Sequence, residues 1–134
     1  MMDRREVLGA GAVGVVLPLG ALAGAARAAQ PLEIYRAVYD SRFASGRAFA
    51  AQAAQRGWST AAIAGDVTDL WYRDLDLRWK KGPAPIAGVT QPEALFVLDH
   101  LARSAGMRVI SRQELPHERT VSWLIAPSAR AVRA

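Results

Sequence analysis

Leu32-Glu33-Ile34-Tyr35-Arg36-Ala37-Val38-Tyr39, running into Asp40-Ser41, is the stretch that decides the fold. Its β-branched and aromatic residues predict a strand, and the Asp-Ser pair that stops it has the chemistry of a helix N-cap. Ala44, Ala48, Ala51 and Ala54 then recur at three- and four-residue spacing up to Gly57, a residue suited to the left-handed position past a helix end. A strand followed by a narrow-faced, Ala-rich helix is the opening unit of an α/β domain, in which the helix packs closely on a sheet.

The alternation continues downstream. Residues 58–64, Trp-Ser-Thr-Ala-Ala-Ile-Ala, form a short apolar run closed by Gly65-Asp66 and predict a second, buried strand. Asp66-Val67-Thr68-Asp69 opens a helix on which Trp71, Leu75 and Trp79 share one face. Residues 74–79 also alternate as a strand does, so the helix is drawn to about Asp74 with an irregular segment after it. A Gly/Pro turn at residues 80–85 leads into a very short strand at residues 86–89. Thr90-Gln91-Pro92-Glu93 is a capping box with proline in the first turn, followed by Ala94, Leu95, Leu98, Leu101, Ala102 and Ala105 on one face and closed by Gly106. Residues 107–111 predict a fourth strand, residues 112–119 a loop, and residues 121–126 a last strand stopped by Pro127. This order predicts a small three-layer α/β domain, with a mostly parallel sheet, helices on both faces and a C-terminal antiparallel edge strand.

Ahead of the domain stands Met1-Met2-Asp3-Arg4-Arg5-Glu6-Val7-Leu8-Gly9, and residues 7–26 consist only of Gly, Ala, Val, Leu and Pro. Ala26-Arg27-Ala28 then supplies a small-x-small cleavage pattern before Ala29. The paired Arg4-Arg5 ahead of two apolar residues resembles the twin-arginine signal family, with Asp3 in the first position and Val7 where that family often has Phe. The resemblance implies export of an already folded passenger by the twin-arginine translocase of a bacterial cytoplasmic membrane. It also implies cleavage between Ala28 and Ala29 and a periplasmic or secreted mature chain without a stable membrane anchor. The expected organisation is residues 1–28 as signal peptide, 29–127 as a single α/β domain and 128–134 as a flexible basic tail. Gly9-x-Gly11-x-x-Gly14 matches a dinucleotide fingerprint in spacing, but no strand precedes it.

Removing 28 residues from 134 leaves 106, enough for one core and not for two. Of 17 basic and 12 acidic side chains, Arg4, Arg5, Arg27, Asp3 and Glu6 leave with the signal, giving 14 and 10, a net charge of +4. The basic residues are scattered, with Lys80-Lys81 the only adjacent pair of the mature chain, so no nucleic-acid stripe is visible. With no cysteine, disulfides, thiolate catalysis and thiolate metal sites are excluded.

In open α/β sheets ligands bind beyond the carboxyl ends of the strands. That rule gathers Asp40, Ser41 and Arg42 after the first strand, Gly65, Asp66 and Asp69 after the second, Gly88 and Thr90 after the third, and Arg112 after the fourth. Asp40, Ser41, Asp66, Gly88, Thr90 and Arg112 are accordingly the candidate ligand or anion site, although helix capping and turn geometry account for the same residue types. Asp66, Asp69, Asp74 and Asp76 lack the alternating spacing of a calcium loop, and His100 and His117 have no local partner motif, so neither metal nor cofactor is expected. No nucleophile-elbow, zinc-helix or phosphate-loop pattern occurs in the mature chain, and no catalytic residue is assigned. Trp58, Trp71, Tyr72 and Trp79 crowd a small domain; they staple a helix to the sheet or form an aromatic partner surface. The expectation is an exported, non-catalytic accessory protein, such as a subunit accompanying a co-exported oxidoreductase, with a small-ligand or anion-binding module as the alternative and a small enzyme as the third.

Overall fold

The computed structural model describes residues 32–128. Five strands, β1 (Arg36–Asp40), β2 (Thr60–Ile63), β3 (Ile86–Thr90), β4 (Arg108–Leu115) and β5 (Thr120–Ala126), form one sheet in the order β2-β1-β3-β5-β4. Three helices accompany it. Helix α1 is Ala44–Gln55, and α2 is continuous through three registers: Thr68–Leu70, a π-helical stretch Trp71–Leu75, and Asp76–Trp79. Helix α3 is Pro92–Ala102, prolonged by a 3₁₀ turn at Arg103–Ala105.

The alternation of side chains along the strands splits the core in two. Ala37, Ala87, Val89 and Leu124 face α1, where Phe49 and Ala53 cover them. Val38, Ile86, Val121, Trp123 and Ile125 face α2 and α3, which contribute Leu75, Trp79, Leu95 and Leu98. The expected three layers are therefore present. The sheet itself is mixed, not mostly parallel. β1 pairs parallel with β2 and β3 over four residue pairs each, whereas β5 pairs antiparallel with β3 over five and with β4 over seven.

The last strand is not an edge strand. β4 and β5 are joined by a tight turn at residues 116–119, with Glu118 N–H donating to the Leu115 carbonyl and Arg119 N–H to that of Pro116. A hairpin needs no crossover helix, so β5 slots in beside β3 and leaves β4 outside. Every residue of β5 is buried, Thr120 and Ser122 included, as befits an interior strand covered on both faces. The first half of the segment expected as a loop, residues 112–115, belongs to β4, whose Arg112, Gln113 and Glu114 are exposed because an edge strand has little to pack against. Asp99 of α3 accepts the Val109 N–H at 3.1 Å, and a register shift lies between Val109 and Ser111, two devices that blunt the edge against further pairing.

Other expectations shift in smaller ways. β2 is a short, mostly exposed edge strand instead of a buried one. Helix α1 buries Gly46, Phe49 and Ala53, not the Ala44, Ala48, Ala51 and Ala54 row, because one phenylalanine outweighs several methyl groups. Helix α2 continues past Asp74 to Trp79, and Leu75 and Trp79 are buried with Trp71 packed against them, so the one-face spacing holds. The α3 face at Ala94, Leu95, Leu98 and Ala102 is buried as expected. The twin-arginine segment, with Arg4, Arg5 and the Ala28-Ala29 cleavage site, and the tail beyond Ser128 lie outside the described residues. Among the described residues no helix is long and apolar enough to cross a membrane.

Candidate functional site

Strand β1 feeds α1 toward β2 on one side, and β2 returns through α2 to β3 on the other. The carboxyl ends of β1 and β3 therefore flank a topological switch point, the usual ligand crevice of such sheets. Its occupants are protein side chains. Asp40, fully buried at the end of β1, accepts from Arg42 Nε at 2.9 Å, Arg42 Nη2 at 2.8 Å and the Arg42 amide at 3.1 Å. The same Nη2 donates to Gln91 Oε1 at 2.8 Å, just past β3, so one guanidinium bridges the two strand ends. Burial pushes the Asp40 carboxyl up, but the Arg42 hydrogen bonds and charge, with a further bond from the Gly65 amide, hold it below the ordinary carboxylate range. Gly65 has φ +93°, and a Cβ there would come within 2.8 Å of Arg42 Nη2, so the latch needs a glycine.

The remaining candidates are also engaged. The Ser41 amide donates to the Ile63 carbonyl at 2.9 Å and extends the β1–β2 ladder, with its hydroxyl directed to the same oxygen. Asp66 Oδ1 accepts the Thr68 amide and hydroxyl at the start of α2, which lowers its pKa. Thr90 does not cap α3, whose N-cap is Gln91 without a side-chain bond. Its buried hydroxyl accepts the Trp123 indole N–H at 3.0 Å and donates to the Gln91 carbonyl. Gly88 lies beneath the same indole. Arg112 is in mid-β4, opposite Trp123, and pairs with Glu114 at 2.9 Å; it is not at a strand end. Asp40 and Ser41 likewise do not cap α1, whose N-cap is Phe43. That role falls to Glu118 on the β4–β5 turn, which accepts the Ser45 amide at 3.0 Å and the Ser45 hydroxyl at 2.6 Å. These bonds lower the Glu118 pKa.

The opposite end of the sheet is arranged differently. Where β1 and β3 begin, the ladder closes with Tyr35 N–H donating to the Pro85 carbonyl at 2.7 Å. Beyond that bond residues 32–34 and 83–85 line a groove of about 880 Å³, whose walls include Trp58, Tyr35 and Arg78. Among the described residues, the main-chain N–H and C=O groups of Leu32, Glu33 and Ile34 make no hydrogen bond. Behind the groove, Tyr35 Oη donates to Asp74 Oδ1, and Arg36 Nε to Asp74 Oδ2 at 2.7 Å. Burial raises the Asp74 carboxyl, but Arg36 and Tyr35 bring it below its usual range; the bond to Asp74, then burial, raise the Tyr35 phenol. Asp74 sits in the π-helical stretch of α2, a distortion that often marks functional sites.

The four clustered aromatics do not form one surface. Trp71 and Trp79 meet edge to face at 5.8 Å in the α2–α3 core, and Trp79 Nε1 donates to the Ala84 carbonyl. Trp58 packs in the α1 core on the other face of the sheet and reaches the groove, while Tyr72 is exposed. Sequence reasoning missed the groove, Arg78 and the Tyr35–Asp74 network. One signal was available for Glu118: α1 starts after Phe43, so its first N–H groups needed a carboxylate from elsewhere. Among the described residues no group of His, Asp and Glu could hold a metal. Comparison with family models, with curated proteins and with solved structures returns no match.

Proposed function

We propose that the chain is an exported, non-catalytic binding protein, an accessory to a co-exported partner such as an oxidoreductase, and that it holds this partner at the groove below β1 and β3. The twin-arginine-type leader supports delivery in the folded state. The contrast between the two sheet ends carries the docking reading. At the carboxyl end, Asp40, Arg42, Gln91, Thr90 and Glu118 already have hydrogen-bond partners within the fold, so among the described residues they leave little free to receive a ligand. At the opposite end, apolar and aromatic walls flank main chain that has no hydrogen-bond partner among the described residues. The small-ligand reading of Asp40, Ser41, Asp66, Gly88, Thr90 and Arg112 is the less favoured one, because each of these residues already has a partner or a packing role inside the fold.

Two measurements test the proposal. Arg4→Lys with Arg5→Lys leaves the precursor in the cytoplasm, and normal export of that variant overturns the leader reading. Periplasmic wild-type protein runs in size-exclusion chromatography as a complex that Trp58→Ala disrupts; a wild-type chain running alone as a monomer sinks the accessory reading.

A further inference from the structure

We infer that the groove takes an extended, acidic segment of a partner polypeptide, docked as an added strand with one carboxylate reaching Arg78. The inference rests on the groove being the docking site and specifies the chemistry of its occupant.

The shape of the occupant follows from the backbone. Residues 32–34 run outward from β1 past the last rung of the ladder, and their N–H and C=O groups are unused within the described residues. β1 is an interior strand, but residues 32–34 extend it beyond the rungs it shares with β2 and β3, and a strand laid beside that extension supplies those bonds, as in peptide recognition by strand addition. Leu32, Ile34, Tyr35, Trp58, Pro83 and Pro85 provide the apolar surface on which alternate side chains of such a strand would rest.

The charge follows from what Arg78 lacks. Its Nη1 donates to the Gly82 carbonyl at 3.3 Å and its guanidinium lies 5.6 Å from the Tyr35 ring centroid, but it forms no ion pair with a carboxylate of the described residues. The two acids nearest along α2 are committed, Asp74 to Arg36 and Asp76 to Lys80. Among the described residues Arg78 is thus a cation without a carboxylate partner, on a partly apolar wall where a complementary carboxylate gains more than it would in water. Glu33, exposed on the groove, disfavours a second acid beside it. The fitting ligand is therefore an alternating apolar strand with a single acid.

The experiment uses the full 134-residue chain and two peptides of about nine residues, the length of a long strand. Both alternate Val and Ser, one with Asp at its centre and the other with Lys. Peptide anisotropy reports affinity and backbone amide shifts report the site. Wild-type protein binds the Asp peptide about tenfold more tightly than the Lys peptide, a difference of about 1.4 kcal/mol, with shifts at residues 32–35 and 83–85. Arg78→Gln removes the preference and Arg78→Glu reverses it; melting of both variants close to wild type establishes that they fold. Equal binding of the two peptides at the groove overturns the acidic specificity and leaves the docking site standing. Absence of binding by either peptide, or shifts confined to another surface, overturns the docking site as well.

Discussion

Replacing Gly88 by alanine separates a ligand role from a packing role for the residues at the end of β3. An alanine Cβ would lie 2.3 Å from Cζ2 and 2.8 Å from Cε2 of Trp123, and 2.6 Å from the Val38 carbonyl oxygen. Ordinary contact begins near 3.4 Å, so roughly 1 Å of relief is needed on two sides. Neither neighbour yields readily: Trp123 is fully buried with its N–H on Thr90, and Val38 is paired with Gly88 in the β1–β3 ladder. Overpacking typically costs about 1–3 kcal/mol, and two rigid neighbours put this site near the upper figure. In a domain of this size each kcal/mol lowers the melting temperature by roughly 4–8 °C, so Gly88→Ala melts roughly 12–24 °C below wild type. Urea denaturation followed by circular dichroism gives the free energy directly, with an unchanged slope. Adding Trp123→Phe removes the indole contact, and the double-mutant cycle shows a coupling of about 1 kcal/mol or more. A Gly88→Ala protein melting within about 2 °C of wild type refutes the packing role.

Thr90→Val keeps the volume and removes the acceptor for the buried indole N–H, which costs about 1–3 kcal/mol; chemical denaturation reads it, and an unchanged midpoint argues against the bond. Acid lowers stability through Asp40 and Asp74, whose folded-state pKa values lie below their unfolded ones. Their contribution is complete above the unfolded carboxylate value of about 4 and is lost as pH falls through the lower folded values. The melting temperature therefore holds from neutral pH to about 5 and then drops. In the Asp40→Asn/Asp74→Asn variant this acid limb is shallower, and a limb identical to wild type counts against the two carboxylates as its source. Asp99→Ala frees the Val109 N–H on the edge strand, so hydrogen exchange at Val109 accelerates while that of β5 stays slow; equal protection at Val109 in both proteins contradicts the cover.

The sequence carried the helices and a position for each of the five strands, with residues 107–111 and 121–126 falling on β4 and β5, because these signals are local. The Trp71, Leu75 and Trp79 spacing, Pro92 at the start of α3 and Gly106 after it each act within a few residues. The sheet order was illegible because pairing partners are distant in the chain. Residues 112–115 read as a loop since edge exposure lets charges occupy a strand, and only the hairpin return of β5 makes that segment pair. The candidate site was legible as a place and not as chemistry. Asp40 and Thr90 do stand at the switch point, but the Arg42 bridge to Gln91 spans 49 positions and the Trp123 bond to Thr90 spans 33. No local pattern announces either.

The unequal treatment of the two sheet ends has one physical origin. Parallel strands bring their carboxyl ends together with helix N-termini, which concentrates unpaired N–H groups and favours carboxylates there. In this chain Glu118 meets that demand from within, across the β4–β5 turn to α1, while Asp40 is taken up by Arg42 and the Gly65 amide. An end whose polar groups are saturated by its own side chains has little left with which to bind an external anion. At the amino end α1 and α2 present their C-termini, whose free groups are carbonyls and not N–H donors, and Pro83 and Pro85 have no N–H with which to pair the chain leading into β1. Among the described residues main chain is left without partners beside apolar walls, a combination a second polypeptide satisfies better than water or a small solute does. The proline-bearing turn between α2 and β3 thereby links local chain chemistry to the docking function proposed for this protein.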